Sequence, residues 1–187
     1  MSLLWPERLT LALEAGEGAL QELARKAGAI RRRAHVTVVL SNHYVRYAIV
    51  PGGGAATPEE ELALARFHFT KIHGERAREW EVRVCDGLAC AIDAALLREI
   101  RPLFKGKARL VSVQPYLMHA YNGARRRIPR EGAWLVLAEK GRTCLARLAA
   151  KGWAWVHNGP EGDVEALIER ERNRSSGEPL PAAVLKL

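Results

Sequence analysis

Ser41 and His43 are residue types that could act together as a nucleophile and its general base. They lie in a polar segment, residues 41–44, between two apolar runs at residues 36–40 and 45–50. A serine nucleophile of this kind also needs an acid that orients its histidine. Neither the two runs nor the segment between them contains an aspartate or a glutamate. We therefore interpret His43 as a polar turn residue and predict no catalytic residue here.

Other parts of the sequence give little support for metal or phosphate chemistry. The three cysteines form no CxxC pair, so we predict no zinc site, and we expect no other metal and no cofactor. The glycine-rich loop at residues 51–56 is not followed by the Lys-Ser or Lys-Thr pair of a P-loop. A two-metal nuclease would need carboxylates on its opening strands, and residues 36–50 have none.

The formal net charge of +8 favours acidic partners, such as nucleic acid, an anionic membrane surface or an acidic protein. A coding bias toward arginine would produce the same surplus. Two arginine triplets are candidate patches for an anionic partner, although a solvated helix end also explains the first of them. The triplets are Arg31, Arg32 and Arg33, and Arg125, Arg126 and Arg127.

The chain of 187 residues is long enough for one sizeable domain or two small ones. Its odd number of cysteines suits a reducing compartment. No signal peptide heads the sequence, and no apolar run reaches the length of a membrane span. We therefore expect a cytoplasmic protein.

Residues 5–33 predict helix, because leucines and alanines form a partial apolar stripe that Gly16 and Gly18 interrupt. The β-branched runs at residues 36–40 and 45–50 predict a strand hairpin with its turn at residues 41–44.

In the rest of the chain, helix-capping and turn residues predict the positions of the helices and strands. Thr57, Pro58 and Glu60 predict the capped start of a helix that runs to about residue 72. Asp86 and Gly87 predict a turn between two strands. The remaining predictions are a helix capped by Asp93, a buried strand at residues 108–113, a short helix from Tyr116, a three-stranded meander at residues 134–157 with Trp153 and Trp155 on one face, a helix capped by Asp163 and a last strand at residues 182–187.

This order of elements predicts an α/β protein with mixed sheets and a ribonuclease-H-like or actin-like fold. Two related halves would each open with antiparallel strands and continue with helices and strands, the second half being truncated. The predicted organisation is an N-terminal helical segment at residues 1–33, a first actin-like half at residues 34–130 and a partial second half at residues 131–187.

Five segments carry a resemblance to a known family: residues 40–47, 59–74, 80–84, 111–118 and 132–155. In these segments the sequence resembles the cytoplasmic actin-like domains of pilus and type II secretion assembly proteins, the PilM-like and GspL-like group. The similarity covers roughly residues 34–160.

The resemblance also implies where a nucleotide would bind, because actin-like ATPases hold phosphates between two hairpin turns. In this sequence the first turn has no acid, whereas the second keeps Gly141 and Thr143 beside Lys140. Lys140, Gly141 and Thr143 are therefore a candidate residual phosphate-binding turn. The missing acid and the truncated second half predict that the protein does not hydrolyse ATP and is not an enzyme.

The resemblance implies a non-catalytic scaffold that binds protein partners of an inner-membrane pilus or type II secretion-like assembly, at the cytoplasmic face of that membrane. A partner segment could dock in a groove or on a sheet edge. Two alternatives remain open at this point. One is a nucleic-acid-binding ribonuclease-H-like module, and the other is a degenerate nucleotide-binding protein without turnover.

Overall fold

The computed structural model describes residues 6–50, 57–106, 108–175 and 180–187, so the glycine-rich loop predicted at residues 51–56 lies outside it. The strands are β1 (Glu7–Leu13), β2 (Ala34–Leu40), β3 (Val45–Ile49), β4 (Trp80–Cys85), β5 (Leu88–Asp93), β6 (Ala108–Pro115), β7 (Gly132–Glu139), β8 (Arg142–Ala149), β9 (Gly152–Pro160) and β10 (Val184–Lys186). The α-helices are α1 (Ala19–Gly28), α2 (Pro58–His73), α3 (Ala94–Ile100), α4 (Tyr116–Ala124) and α5 (Val164–Arg174).

The first sheet has the order β1-β2-β6, and all of its strands are parallel. The prediction of helix at residues 7–13 is wrong, because this segment is strand β1. Leu9, Leu11 and Leu13 alternate with more exposed residues, and this period of two suits a strand that pairs with β2. Gly18 then begins α1 with a positive φ of 76°. The boundary predicted at residue 33 thus falls between two paired strands.

The hairpin predicted at residues 36–50 is also wrong. Strand β2 lies between β1 and β6, whereas β3 pairs with β5 in the second sheet, whose order is β3-β5-β4. Residues Asn42–Tyr44 form a short 3-10 turn that carries the chain from one sheet to the next. The first half therefore does not open with antiparallel neighbours in the way the second half does.

The second sheet packs one face against α2. Its other face packs against the main core, which is the cluster of buried apolar side chains to which all three sheets contribute. Residues of β5 alternate between these faces: Ala89 and Ala91 lie under α2, and Cys90 lies in the main core. The predicted capping box of α2 is confirmed, since Thr57 Oγ1 accepts from the backbone N–H of Glu60 and the Glu60 carboxylate accepts from that of Thr57.

The third sheet, of order β10-β7-β8-β9, confirms the predicted meander and last strand. The prediction that Trp153 and Trp155 share a face is wrong. A bulge places Arg147 opposite Trp155 and the next residue, Leu148, opposite Trp153. Trp153 consequently packs in the main core against Tyr121, whereas Trp155 packs against Trp134 under α5.

Strand β6 is less buried than its apolar sequence predicts. It is an edge strand of the first sheet, and the side chain of Val111 is 52% exposed. An edge position gives such a strand only one paired neighbour among the described residues, so its outer backbone groups face the surroundings.

Candidate functional site

A cleft of about 560 Å³ lies where the first sheet meets the turn between β7 and β8. Its walls come from the carboxyl ends of the parallel strands, including Leu13 and Ser41, and from Glu139 and Lys140 of the turn. In α/β proteins the carboxyl ends of parallel strands are the usual position of a ligand crevice. This cleft is therefore the place in the fold at which to test the predicted chemistry.

Beside this cleft, hydrogen bonds connect residues 42–45 to the third sheet. The backbone N–H of Asn42 donates to Glu139 Oε2 at 2.9 Å, and Asn158 Nδ2 donates to the carbonyls of Asn42 at 2.8 Å and Val45 at 2.9 Å. Asn42 is fully buried, and its Oδ1 accepts from the Tyr47 hydroxyl at 2.7 Å. We call Asn42, Glu139 and Asn158 the Asn42 junction. Its Glu139 carboxylate already serves a structural hydrogen bond.

The geometry of Ser41 and His43 does not suit nucleophilic catalysis. His43 Nε2 lies 3.1 Å from the carbonyl oxygen of Lys140, which can only accept, so this nitrogen carries the proton. The Ser41 hydroxyl is buried and accepts from the backbone N–H of His43. Among the described residues, no hydrogen bond joins the His43 ring to the Ser41 hydroxyl, as a nucleophile and its base would require.

The candidate phosphate turn is divided between the cleft and the opposite side of the turn. Lys140 lines the cleft. Gly141, at φ 73°, donates its N–H to Glu161 Oε2 at 3.3 Å, and Thr143 Oγ1 accepts from the N–H of Gly162 at 3.4 Å. Phosphate binding by these residues stays a prediction, which would require the Gly141 N–H to leave Glu161.

The arginine triplets remain exposed and do not line the cleft. Arg31 and Arg32 border a shallow depression beside β1 and α1, and Arg125 lies close enough to Cys85 to influence its thiol. Their role toward an anionic partner stays a prediction. Within the described ranges, no group of histidine, cysteine, aspartate and glutamate side chains is arranged to hold a metal ion.

A second cavity, of about 630 Å³, is a groove between the exposed edge of β6 and the main-core face of the second sheet. Sequence reasoning missed it, because β4, β5 and β6 meet only in the folded chain. Apolar side chains from β6, α3, the segment after α3 and α4 line it, together with three arginines. The apolar side chains include Leu97, Phe104, Val111, Val113 and Met118, and the arginines are Arg83, Arg101 and Arg109.

The thiols in this groove are poor nucleophiles. Burial raises the pKa of Cys90 to about 12, and the neighbouring Cys85 adds to the effect. Burial also raises the pKa of Cys85, with a further contribution from Asp86. Because the thiolate is the reactive form of cysteine, neither thiol is suited to nucleophilic attack at neutral pH.

Solved structures with the same fold are known, although comparison with family models and with curated proteins found no match. A Bacteroides thetaiotaomicron protein with an actin-like ATPase fold and unknown function has a TM-score of 0.51 at 10% identity, covering 83% of this chain and 61% of that one. The cytoplasmic domain of Vibrio cholerae EpsL, an inner-membrane component of type II secretion, has a TM-score of 0.51 at 14% identity, with 93% and 69% covered.

A chain of the PilM-PilN type IV pilus biogenesis complex is similar as well, with a TM-score of 0.52 at 18% identity. The match covers 82% of this chain and 52% of that one. The actin-like fold is thereby confirmed, as is the structural resemblance to pilus and type II secretion components. The chain spans between 52% and 69% of the length of these three neighbours.

Proposed function

We propose that the protein is a non-catalytic actin-like scaffold that binds an extended segment of a partner protein in the groove beside β6. The observation that carries the proposal is the combination of a strand edge that no described strand pairs with and an apolar groove next to it. An extended peptide can add to such an edge through its backbone and insert alternate side chains into the groove.

The charges around the groove indicate the chemistry of the segment. Arg83, Arg101 and Arg109 line it, and Glu81 is the single acidic residue among the lining side chains. A segment with alternating apolar residues and flanking carboxylates matches this surface. It would belong to the cytoplasmic part of a membrane protein, because EpsL and PilM, which share the fold, are named as components of inner-membrane and pilus assemblies. The chain would then work at the cytoplasmic face of the inner membrane.

No helix in the described part of the chain is long and apolar enough to cross a membrane.

We expect the purified protein to show no Mg²⁺-dependent ATP hydrolysis above the rate in buffer, and we expect Glu139→Gln to change nothing. The reason is that Glu139 Oε2 accepts a structural hydrogen bond from the backbone N–H of Asn42, and the carbonyl oxygen of a glutamine can accept the same bond. Phosphate release measured over a range of protein concentrations checks this. Turnover that scales with protein and disappears in Glu139→Gln would show that the scaffold is an ATPase.

Val111→Arg should weaken binding of the partner segment by at least tenfold, which corresponds to about 1.4 kcal/mol. The exposed valine side chain lies in the groove, where an arginine side chain would occupy the space of an apolar side chain of the partner and place a charge against it. Titration of fluorescent peptides from the cytoplasmic segments of membrane proteins encoded beside this one measures the affinity.

The matched control is Val184→Arg, which places the same change on β10, where valine is 44% exposed. Val184→Arg should bind as the unchanged protein does. Equal weakening by both substitutions, or binding of none of these segments by the unchanged protein, would argue against a partner site at β6.

A further inference from the structure

A third cavity, of about 480 Å³, is lined mainly by polar and basic side chains. It lies at the end of the second sheet where β3 begins and β5 ends, beside the carboxyl end of α2. It is distinct from the groove beside β6, with which it shares no lining residue. Four basic side chains surround it: His43, Arg46, His73 and Arg76.

Among the described residues, neither arginine of this cavity has a carboxylate within ion-pair distance. Arg46 Nη1 donates to the carbonyls of His43 at 3.3 Å and Val45 at 3.2 Å. The pKa of Arg46 is lowered by partial burial and by the nearby charges of Arg142 and Arg76. An anion that binds between the guanidinium groups would reduce the electrostatic repulsion between them.

The two acidic residues of the lining do not supply that anion. Asp93 uses Oδ1 to accept from the backbone N–H of Ala95 at the start of α3. Glu99, on the last turn of the same helix, is exposed and has no salt bridge among the described residues. The guanidinium groups therefore remain available to a ligand that enters from outside.

One wall of the cavity is aromatic. The Trp80 and His73 rings have centroids 5.0 Å apart, and Phe69, which is buried, supports Trp80 edge-to-face with centroids 6.1 Å apart. A ring held in place beside cationic groups offers a surface against which a planar or sugar-like part of a ligand can pack.

We propose that this cavity binds a small phosphate-bearing ligand, with Arg46 and Arg76 contacting the phosphate oxygens and Trp80 lying beside the rest of the molecule. The planar guanidinium fork matches the geometry of phosphate oxygens, and two such groups favour a doubly charged anion over a single carboxylate. The site is independent of the groove beside β6, so either proposal can fail without the other.

Isothermal titration at low ionic strength, with inorganic pyrophosphate, ADP and phosphatidylglycerol vesicles as separate probes, tests the proposal. Equal binding of pyrophosphate and ADP would show that the phosphate alone is recognised. Tighter binding of ADP, accompanied by a change in tryptophan fluorescence that Trp80→Leu removes, would show that the ring contributes. Binding of the vesicles alone would identify a lipid phosphate as the ligand.

The double substitution Arg46→Gln and Arg76→Gln should weaken binding at least tenfold. Arg78→Gln is the matched control, because Arg78 is close in sequence but pairs with Glu75 at 2.7 Å on the exposed surface. If the circular dichroism spectrum shows that the double variant does not fold, the single variant Arg76→Gln is tested in its place. Absence of binding by all three probes, or equal binding by the arginine variants and the unchanged protein, would overturn the proposal.

Discussion

Replacement of Glu171 by alanine is expected to lower the free energy of unfolding by about 3–5 kcal/mol. Glu171 Oε1 lies 3.6 Å from Arg147 Nη2, and the two side chains are only 7% and 5% exposed. Arg147 lies on the face of β8 that packs under α5, where Leu145 belongs to the apolar cluster between the third sheet and that helix. Loss of the carboxylate leaves a buried guanidinium charge without this compensation, and Ser175 also loses its acceptor. Urea denaturation followed by circular dichroism measures the change.

The matched control is Glu169→Ala on the same helix. Glu169 also lies 3.6 Å from an arginine, Arg172, but both side chains are largely exposed, so we expect a loss of at most about 0.5 kcal/mol. Replacing both buried partners, Arg147→Leu with Glu171→Leu, should recover most of the stability. Similar effects of Glu169→Ala and Glu171→Ala would show that burial of the pair contributes nothing.

Elements with strong local signals could be predicted from the sequence. The capping box at Thr57 and the aspartates at positions 93 and 163 all begin helices as expected, with side-chain oxygens that accept from backbone N–H groups. The meander is equally local, since β7, β8 and β9 follow one another with short turns. In these segments the residues that determine the structure lie within a few positions of each other.

Pairing between distant strands could not be predicted in the same way. Leu9 and Leu13 fit a helical stripe as well as a strand face, and only the presence of β2 beside them decides in favour of the strand. The runs at β2 and β3 likewise suit a hairpin or two separate sheets. The choice depends on β6, which pairs with β2, and on β5, which pairs with β3. Both of these strands come much later in the sequence.

The Asn42 junction illustrates why the site was harder to predict than the fold. Asn158 contacts Asn42 across 116 positions, and Glu139 does so across 97. The residues around Asn42 are of the types that are common in exposed turns. The sequence therefore does not indicate that Asn42 is completely buried. The bulge at Arg147 is similar, since one additional residue in β9 reverses the direction of Trp153 relative to the alternation expected from Trp155.

Gly132→Ala is expected to destabilise the protein by about 3–5 kcal/mol, through backbone strain together with steric overlap. Gly132 begins β7 with φ 103°, which side-chain-bearing residues rarely adopt. A Cβ atom there would approach the carbonyl carbon of Leu148 to 2.8 Å and its oxygen still more closely. These are backbone atoms of the paired strand β8, so relief requires the strands to separate at their first pair. The midpoint of urea denaturation gives the size of the effect.

Gly123→Ala is the matched control, because this glycine lies in α4 and a Cβ there would meet no atom within 4 Å. Alanine has the higher helix propensity, so this variant should gain about 0.5–1 kcal/mol. The opposite signs separate the cost of a side chain at Gly132 from any general effect of losing a glycine. A loss below about 1 kcal/mol in Gly132→Ala would mean that β7 can move away from Leu148 at little cost, and that its start does not fix the third sheet.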